Sequence, residues 1–312
     1  MFLLLSCAEP ETTPTDTAQT DPVTCDTTIQ ETWPQAGAVD VYYRDTISFT
    51  LTEPDATAQV VADFEGVQSV SEDGLVVSYS PTDPLAPSTD YTVALDYCHG
   101  NAEIAFRTSA FGEPLDEGLD LNGYTWGFTL ADAHSVEPAQ VGELAANFFS
   151  NTLLLGVVDV DGETVDMRMA VATAGADTQD WCAQTFDIQG IALDGPYFDT
   201  SVRDISFDAY GTTFTLYDGQ VWGTIAPDGT ALAGARVGGL LDGVPIAETN
   251  LAGDIDALCA VVANLGGECV VCPSGDWGCF AFEMDRIEAV QVEAAVESIE
   301  DASADERCEP SD

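Results

Sequence analysis

Short segments in which apolar and polar residues alternate recur along most of this chain of 312 residues. A period of two is typical of strands that bury one face, because successive side chains point to opposite sides of a sheet. Between residues 25 and 111 such segments are regularly spaced, with turn residues between them, at 46–51, 58–62, 75–79, 91–95 and 102–106. This region is predicted to form an antiparallel β-sandwich.

The pattern continues in a second region, residues 115–312, after a boundary at 111–114. Strands are expected there at 124–128, 153–158, 165–172, 185–193, 205–210, 213–217, 221–226, 231–241, 280–284 and 289–293. The turns expected between them are Asp161-Gly162, Tyr210-Gly211, Asp218-Gly219 and Asp228-Gly229. Helical spacing predicts one helix after Pro138 and another over 254–265, ended by Gly266-Gly267. The second region is therefore predicted to be a β-barrel or a two-sheet sandwich with two short helices, in a mainly β chain.

Several turn-forming and apolar residues of the first region have a recognisable spacing. They are Pro34, Gly37, Val41, Ile47, Phe49, Pro81, Pro84, Leu85, Pro87, Tyr91-Thr92-Val93 and Phe106-Arg107-Thr108. On these residues, 25–111 resembles the bacterial Ig-like domain of S-layer and other surface proteins, which implies a non-catalytic spacer or adhesion module. On its layout and the Cys-x-x-Cys-Pro stretch at 269–273, the second region is similar to uncharacterised parts of acidic myxobacterial-type lipoproteins. That similarity implies no activity.

The first 24 residues indicate export and lipid anchoring. Leu4-Leu5-Ser6-Cys7 fits a lipobox, in which the cysteine is acylated and becomes the mature N-terminus. A signal peptide needs a basic segment and an apolar run of roughly 7–15 residues, so we expect a start site upstream of Met1. The alternative is a leucine-rich N-terminus that arose by chance. Residues 8–24 are rich in threonine, proline and acidic residues, which predicts a disordered tether.

The cysteine count supports the same interpretation. Apart from Cys7, eight remain: Cys25, Cys98, Cys182, Cys259, Cys269, Cys272, Cys279 and Cys308. An even number in an exported chain predicts four disulfides. We expect one between Cys25 and Cys98, joining the first strand to a late one. The four cysteines at 259–279 could instead bind zinc, but a zinc ribbon needs two Cys-x-x-Cys steps and only one is present.

The charge is extreme, with 55 acidic residues, seven arginines and no lysine, for a net charge of -48. It argues against a nucleic-acid partner, because phosphate backbones require basic residues, and against adsorption to anionic lipid headgroups. We interpret the acidity as a solvated surface, with calcium binding by clustered carboxylates as the alternative. No other cofactor and no metal ligand is predicted. Residues 159–166 do not fit a calcium loop, and alternating residues on both sides favour a hairpin.

No catalytic constellation is found in the sequence. The histidines are His99 and His134, one in each region, and no Gly-x-Ser-x-Gly stretch supplies a serine nucleophile. Acidic residues are so numerous that no glycosidase-like pair can be chosen. Most of the second region's tryptophans are expected in the core, although one that lined a cleft would favour sugar or lipid recognition: Trp126, Trp181, Trp222 and Trp277.

These features together predict a non-catalytic lipoprotein of the outer membrane or cell surface. Its parts are a signal segment at 1–7, a tether at 8–24, an Ig-like domain at 25–111 and a disulfide-stapled β domain with an acidic tail at 115–312. The expected partners are the membrane, through the lipid at Cys7, and a protein, glycan or lipid ligand of the second domain. The alternatives are a secreted hydrolase that uses acidic residues of that domain, and a structural component of the envelope.

Overall fold

The computed structural model describes residues 25–138, 152–200, 202–209 and 212–308. The predicted lipobox, the tether, the helix after Pro138 and the Tyr210-Gly211 turn lie outside these ranges. Within them, no helix is long and apolar enough to cross a membrane.

Seven strands form a two-sheet sandwich in the first region. They are β1 (Ile29–Trp33), β2 (Ile47–Leu51), β3 (Gln59–Ala62), β4 (Gly66–Val70), β5 (Val76–Pro81), β6 (Asp90–Tyr97) and β7 (Gly100–Arg107). One sheet has the order β1-β2-β5-β4 and the other β3-β6-β7, with antiparallel pairing throughout. This is the strand order of a constant-type Ig sandwich, so the predicted Ig-like topology is confirmed. Strands β1 and β4 were not predicted, because their apolar and polar residues alternate poorly.

The sandwich core lies between the inward faces of the two sheets. The first sheet contributes Ile47, Phe49 and Val77, each 0% exposed, and the second contributes Val93 and Leu95, also 0% exposed. The strict alternation of the sequence in β2 places its apolar residues on this face and its threonine and serine outside.

Eleven further strands are described in the second region. They are β8 (Thr125–Phe128), β9 (His134–Glu137), β10 (Leu153–Asp161), β11 (Thr164–Val171), β12 (Phe186–Asp194), β13 (Tyr197–Asp199), β14 (Arg203–Ala209), β15 (Thr212–Ile225), β16 (Ala231–Asp242), β17 (Cys269–Val271) and β18 (Trp277–Val292). Eight of them close into an antiparallel up-and-down barrel in the order β8-β10-β11-β12-β13-β15-β16-β18, because β18 pairs with β8 and β13 with β15. Of the two architectures expected, the barrel is present.

The barrel interior is filled by side chains. Every one of the eight strands contributes at least one buried apolar residue to a single cluster, represented by Trp126, Leu155, Met167, Ile188, Phe198, Ile225, Leu232 and Ala289. An eight-stranded barrel is just wide enough for its own side chains to occupy the inside. The interior is therefore a packed core.

Three strands are longer than the barrel requires. β15 has 14 residues, β16 has 12 and β18 has 16. The two strands predicted at 213–217 and 221–226 are both part of β15, and the two predicted at 280–284 and 289–293 are both part of β18. The predicted turn at Asp218-Gly219 is wrong. Asp218 does have a positive φ of 49°, but it lies where the β15–β16 register shifts, which is a bulge inside a continuing strand. Arg286 interrupts β18 in the same way, with φ 55°.

Two helices, α1 (Val244–Asn250) and α2 (Ile255–Asn264), pack against the extended parts of these strands in a second core. The predicted helix at 254–265 is confirmed as α2. Asp254 caps its first turn by accepting a 3.0 Å hydrogen bond from the Ala257 backbone N–H, and Gly266 ends it with φ 89°. The seven residues of α1 are too few to give a periodic signal, and that helix was not predicted.

Candidate functional site

The eight described cysteines form four disulfides, which confirms the prediction of disulfide bonds. The pairs are Cys25–Cys98, Cys182–Cys308, Cys259–Cys269 and Cys272–Cys279. The first joins the residue stretch before β1 to the end of β6. The second holds the acidic tail against the barrel segment before β12. Because the sulfurs at 259–279 bond to one another, they offer no thiolates for zinc.

One group of potential metal ligands comes together in the described part of the chain, consisting of Asp242, Cys272 and Cys279. Both of its sulfurs belong to a disulfide, so a single carboxylate is left. In the described ranges, three or more carboxylates do not approach one another closely enough to share a cation. The calcium alternative thus gains no support from these residues.

The tryptophans of the second region are mostly outside the core, contrary to prediction. Trp126 is fully buried, whereas Trp277 is 47% exposed and both Trp181 and Trp222 are half-buried. The half-buried rings lie under guanidinium groups, with Arg307 3.8 Å from the ring centre of Trp181. A cation–π contact stabilises an aromatic ring at the surface without burying it in the core. The sequence pattern of apolar residues does not distinguish such a ring from one packed in the core.

The two histidines lie apart, as predicted. His99 is exposed beside Tyr97, and the Nδ1 of His134 on β9 lies 2.7 Å from the Oδ1 of Asp285 on β18. Burial disfavours the charged form of Asp285, but the His134 hydrogen bond and nearby guanidinium charges lower its pKa below the usual value. The Ser135 hydroxyl donates to the Pro138 carbonyl at 2.7 Å and is not directed at His134. The histidine–carboxylate pair therefore receives no nucleophile from its neighbouring serine.

An open groove of about 820 Å³ lies at one end of the barrel. The segment 115–122 and the tips of the β10–β11 and β12–β13 hairpins line it. Its apolar side chains are Leu115, Leu119, Leu121, Val160 and Leu193, and its exposed acidic side chains are Asp120, Glu163 and Asp194. A concave apolar surface bordered by carboxylates can hold a ligand that carries both apolar groups and positive charge.

Backbone hydrogen bonds fix the walls of this groove. The Leu193 N–H donates to the Glu163 carbonyl at 2.8 Å, which ties one hairpin tip to the other. The Asp116 N–H donates to the Pro227 carbonyl at 2.8 Å, and the Gly123 N–H to the Val157 carbonyl at 3.1 Å. The groove is thus part of the folded framework. The groove was not predicted, because the leucines of 115–121 follow neither a strand nor a helix period.

A second feature lies where the sandwich contacts the barrel. The hydroxyls of Tyr42 and Tyr43 lie 2.7 Å and 3.2 Å from the Oγ1 of Thr224, a β15 residue that is fully buried. Burial raises the pKa of Tyr42. The Tyr42 ring also covers Gly234 of β16 so closely that a Cβ at that position would overlap it. We call this contact the joint.

A cleft of about 90 Å³ borders the joint, and three of the seven arginines line it. Arg44 lies 4.0 Å above the ring centre of Tyr197, Arg286 lies 4.0 Å above that of Trp33, and Arg236 lies 5.4 Å from that of Trp222. Two of these contacts join the sandwich to the barrel.

A carboxyl group, Asp45, lies among these arginines. Burial raises its pKa to about 6, against the opposing influence of the 3.1 Å hydrogen bond from the Trp33 indole and of the Arg286 charge. Asp45 therefore changes charge between mildly acidic and neutral pH. The sequence did not predict that these arginines and Asp45 lie together, because Arg236 and Arg286 are far from Asp45 along the chain and no local pattern marks them.

No protein-family model matches the chain, and no curated protein matches it. Among solved structures, an L,D-transpeptidase from Mycobacterium smegmatis is similar over 48% of this chain and 82% of its own, with 15% identity and a TM-score of 0.24. Domains 4–9 of the surface layer protein SbsC are similar over 70% of this chain and 31% of their own, with 12% identity and a TM-score of 0.21. Domains 5–6 of the same S-layer protein are similar over 64% of this chain and 90% of their own, with 13% identity and a TM-score of 0.21. Similarities at this level do not assign a function.

Proposed function

We propose that this is a non-catalytic cell-surface protein that binds a cationic, amphipathic segment of a partner protein in the groove at the barrel end. The groove itself is the observation that carries the proposal, because it combines a concave apolar surface with an acidic border. In this account the Ig-like sandwich is a spacer, and acylated Cys7 with residues 8–24 is a lipid anchor and tether. The proposal assigns no catalytic step to the chain.

Export is supported by the disulfides. Four bridges are typical of chains that fold in an oxidising compartment and are rare in the reducing cytosol. Together with the acidic surface they favour an extracellular or surface position. Attachment to the outer membrane through Cys7 is the more specific part of the proposal.

Binding on the outside of the barrel is supported by its packed interior. Trp126, Ile191 and Ile225 are each 0% exposed and occupy the space that an internal ligand would need. Leu115, Leu119 and Leu193 are only half-buried, so they remain available for contact at the groove. Burial of such apolar side chains against a partner supplies binding free energy at roughly 25 cal/mol per Å².

The charge of the groove selects the class of partner. Asp120, Glu163 and Asp194 border it, in a chain whose net charge is -48. Lysine or arginine side chains on the partner would be attracted over a distance of about 10 Å at moderate ionic strength and would speed association. An anionic glycan or lipid headgroup would be repelled.

The experiment is calorimetric titration of the full chain with a short synthetic peptide of alternating lysine and leucine. We expect saturable binding that Leu119→Glu weakens at least tenfold, since it places a charge on the apolar surface, and that Asp194→Lys weakens by removing an attraction. Asp83→Lys, a change of an exposed aspartate in the sandwich, is the matched control and leaves the affinity unaltered. Because Leu119 is half-buried and packs against the barrel core, the unfolding curve of Leu119→Glu is compared with that of the wild type to show that the variant is folded.

A peptide of alternating lysine and serine tests the apolar contribution, and one of alternating glutamate and leucine tests the charge. Both are expected to bind at least tenfold more weakly. Equal loss of affinity in the Asp83→Lys and Asp194→Lys variants would show that the peptide recognises overall charge, and the groove assignment would then fail.

A further inference from the structure

Two arginines of the cleft, Arg44 and Arg286, are used differently from the other arginines of the chain. Arg107, Arg168, Arg236 and Arg307 each form an ion pair with a carboxylate at 2.6–3.0 Å, and Arg203 donates to the Thr200 and Gln189 carbonyls. Arg286 forms neither a hydrogen bond nor a direct ion pair with any described residue, and the Arg44 guanidinium makes one hydrogen bond, from Nε to the Tyr43 hydroxyl at 3.0 Å. In a chain with 55 acidic residues, two unpaired guanidinium groups at one cleft are unusual.

Aromatic stacking holds these two groups in place. The guanidinium carbons of Arg286 and Arg44 lie 4.0 Å from the ring centres of Trp33 and Tyr197. Stacking occupies the face of the planar guanidinium group and leaves its N–H edge free to donate. Paired N–H donors in a fixed plane match two oxygens of a carboxylate or phosphate.

The third arginine of the cleft also has unused donor capacity. The Nε of Arg236 lies 2.8 Å from the Oε1 of Glu283, but the contact lacks hydrogen-bond geometry, and this buried nitrogen has no hydrogen-bond partner among the described residues. One of its terminal nitrogens is 3.5 Å from Asp285, which is a long contact. A buried donor without an acceptor costs free energy, and a bound oxygen would recover it.

We propose that the cleft between the sandwich and the barrel binds a small oxyanion, a carboxylate or phosphate group, through the free N–H edges of Arg44 and Arg286 together with Arg236. A volume of about 90 Å³ has room for a carboxylate or phosphate group.

The charge balance of the cleft makes this binding depend on pH. Three guanidinium groups face Asp45, Asp285 and Glu283, and His134 contacts Asp285. When Asp45 takes up a proton, near pH 6, the cluster gains a positive charge. Anion affinity is expected to rise as the pH falls from 7 to 5.

The test is titration of the full chain with sodium acetate and, separately, with inorganic phosphate, followed by the Nε–Hε NMR signals of the arginines. Sodium chloride keeps the ionic strength constant. We expect the signals of Arg44, Arg236 and Arg286 to shift saturably, while those of Arg107 and Arg168 stay in place. A response to acetate alone identifies a carboxylate site, a response to phosphate alone identifies a phosphate site, and either supports the proposal.

Two variants with the same charge change provide the comparison. Arg286→Gln is expected to weaken anion binding at least tenfold, and Arg107→Gln, which removes an exposed arginine that does not line the cleft, leaves it unchanged. The wild-type NMR titration decides the matter if Arg286→Gln disturbs the fold. Absence of a saturable shift in the three cleft arginines, or equal responses of the two variants, would overturn the proposal.

Discussion

The inside of the barrel and the joint are both buried parts of the molecule, but they are built from different interactions. Eight strands fill the barrel with apolar side chains that touch one another from all sides. The joint consists of two tyrosine hydroxyls on one threonine and a ring packed on a glycine, and guanidinium groups stacked on aromatic rings line the cleft beside it. The first is a large, non-directional interface, and the second depends on a few directional contacts.

The barrel core contributes mainly to stability, whereas the candidate binding sites lie outside it. Apolar packing gives the barrel most of its free energy of folding and leaves no internal space for a ligand. The joint gains less from apolar burial, and it keeps polar donors beside a cleft at the boundary. In this chain the well-packed region is the framework, and the candidate sites lie on its outside, at the groove and at the cleft.

The largest expected effect is in the barrel. Trp126→Ala removes a fully buried ring and its 2.8 Å hydrogen bond to the Gly229 carbonyl, so the free energy of unfolding should fall by about 3–5 kcal/mol. Denaturant unfolding of the oxidised chain measures it. The control is Trp277→Ala, which removes a ring that is 47% exposed and should cost less than about 1 kcal/mol. Similar losses in both variants would contradict the packed interior.

In the cleft beside the joint, Asp45→Asn is expected to stabilise the protein at neutral pH. The raised pKa of Asp45 means that its favourable, protonated form is fully present below about pH 4 and is lost as the pH rises through about 6. The variant should therefore match the wild type at pH 4 and exceed its free energy of unfolding by up to about 3 kcal/mol at pH 7. Unfolding curves over this range measure the gap.

The control for that series is Asp83→Asn, which removes an exposed carboxyl from the sandwich. A gap for Asp45→Asn that shrinks instead of growing between pH 4 and 6 would contradict a buried carboxyl with a raised pKa at this position.

Gly234→Ala probes the close approach of the Tyr42 ring. The residue has φ 57°, and its new methyl group would overlap the ring, so we expect a loss of about 2–3 kcal/mol and displacement of Tyr42. Gly118→Ala is the matched control, because Gly118 has φ 84° with open space around its Cα and should show the backbone strain alone, about 1 kcal/mol. Equal losses would mean that Tyr42 can move aside freely.

The smallest effect is expected from Tyr42→Phe. It removes one hydroxyl contact to Thr224, and Tyr43 still reaches the same oxygen, so the loss should be about 1 kcal/mol. Tyr97→Phe serves as the control, because the Tyr97 hydroxyl makes no hydrogen bond within the described residues. A loss above about 3 kcal/mol would show that the joint is more cooperative than its few contacts suggest.

The same division explains what could be predicted from the sequence. Alternation of apolar residues identified five of the seven sandwich strands and seven of the eight barrel strands, because the burial of one face leaves a period of two. Asp218 was misread as a turn, and β18 as two strands, because a bulge breaks the alternation without ending a strand. The barrel was one of two architectures left open, since closure depends on which strands pair.

The candidate sites could not be predicted in this way. The Tyr42 and Thr224 hydroxyls that meet at the joint are separated by 182 residues, and no local pattern marks either. The groove combines three chain segments, and its leucines at 115–121 lack periodicity. Composition did show the scarcity of arginine, but only the fold shows that three of the seven meet at one cleft.

The central claim is that ligands bind outside a filled barrel, and an NMR map of the full chain with the lysine–leucine peptide tests it most directly. The account predicts that backbone amide shifts are confined to residues 115–122, 160–163 and 192–195. Shifts concentrated on the interior residues Trp126, Met167 and Ile225, with the groove residues unchanged, would contradict it and show that the barrel admits its ligand inside.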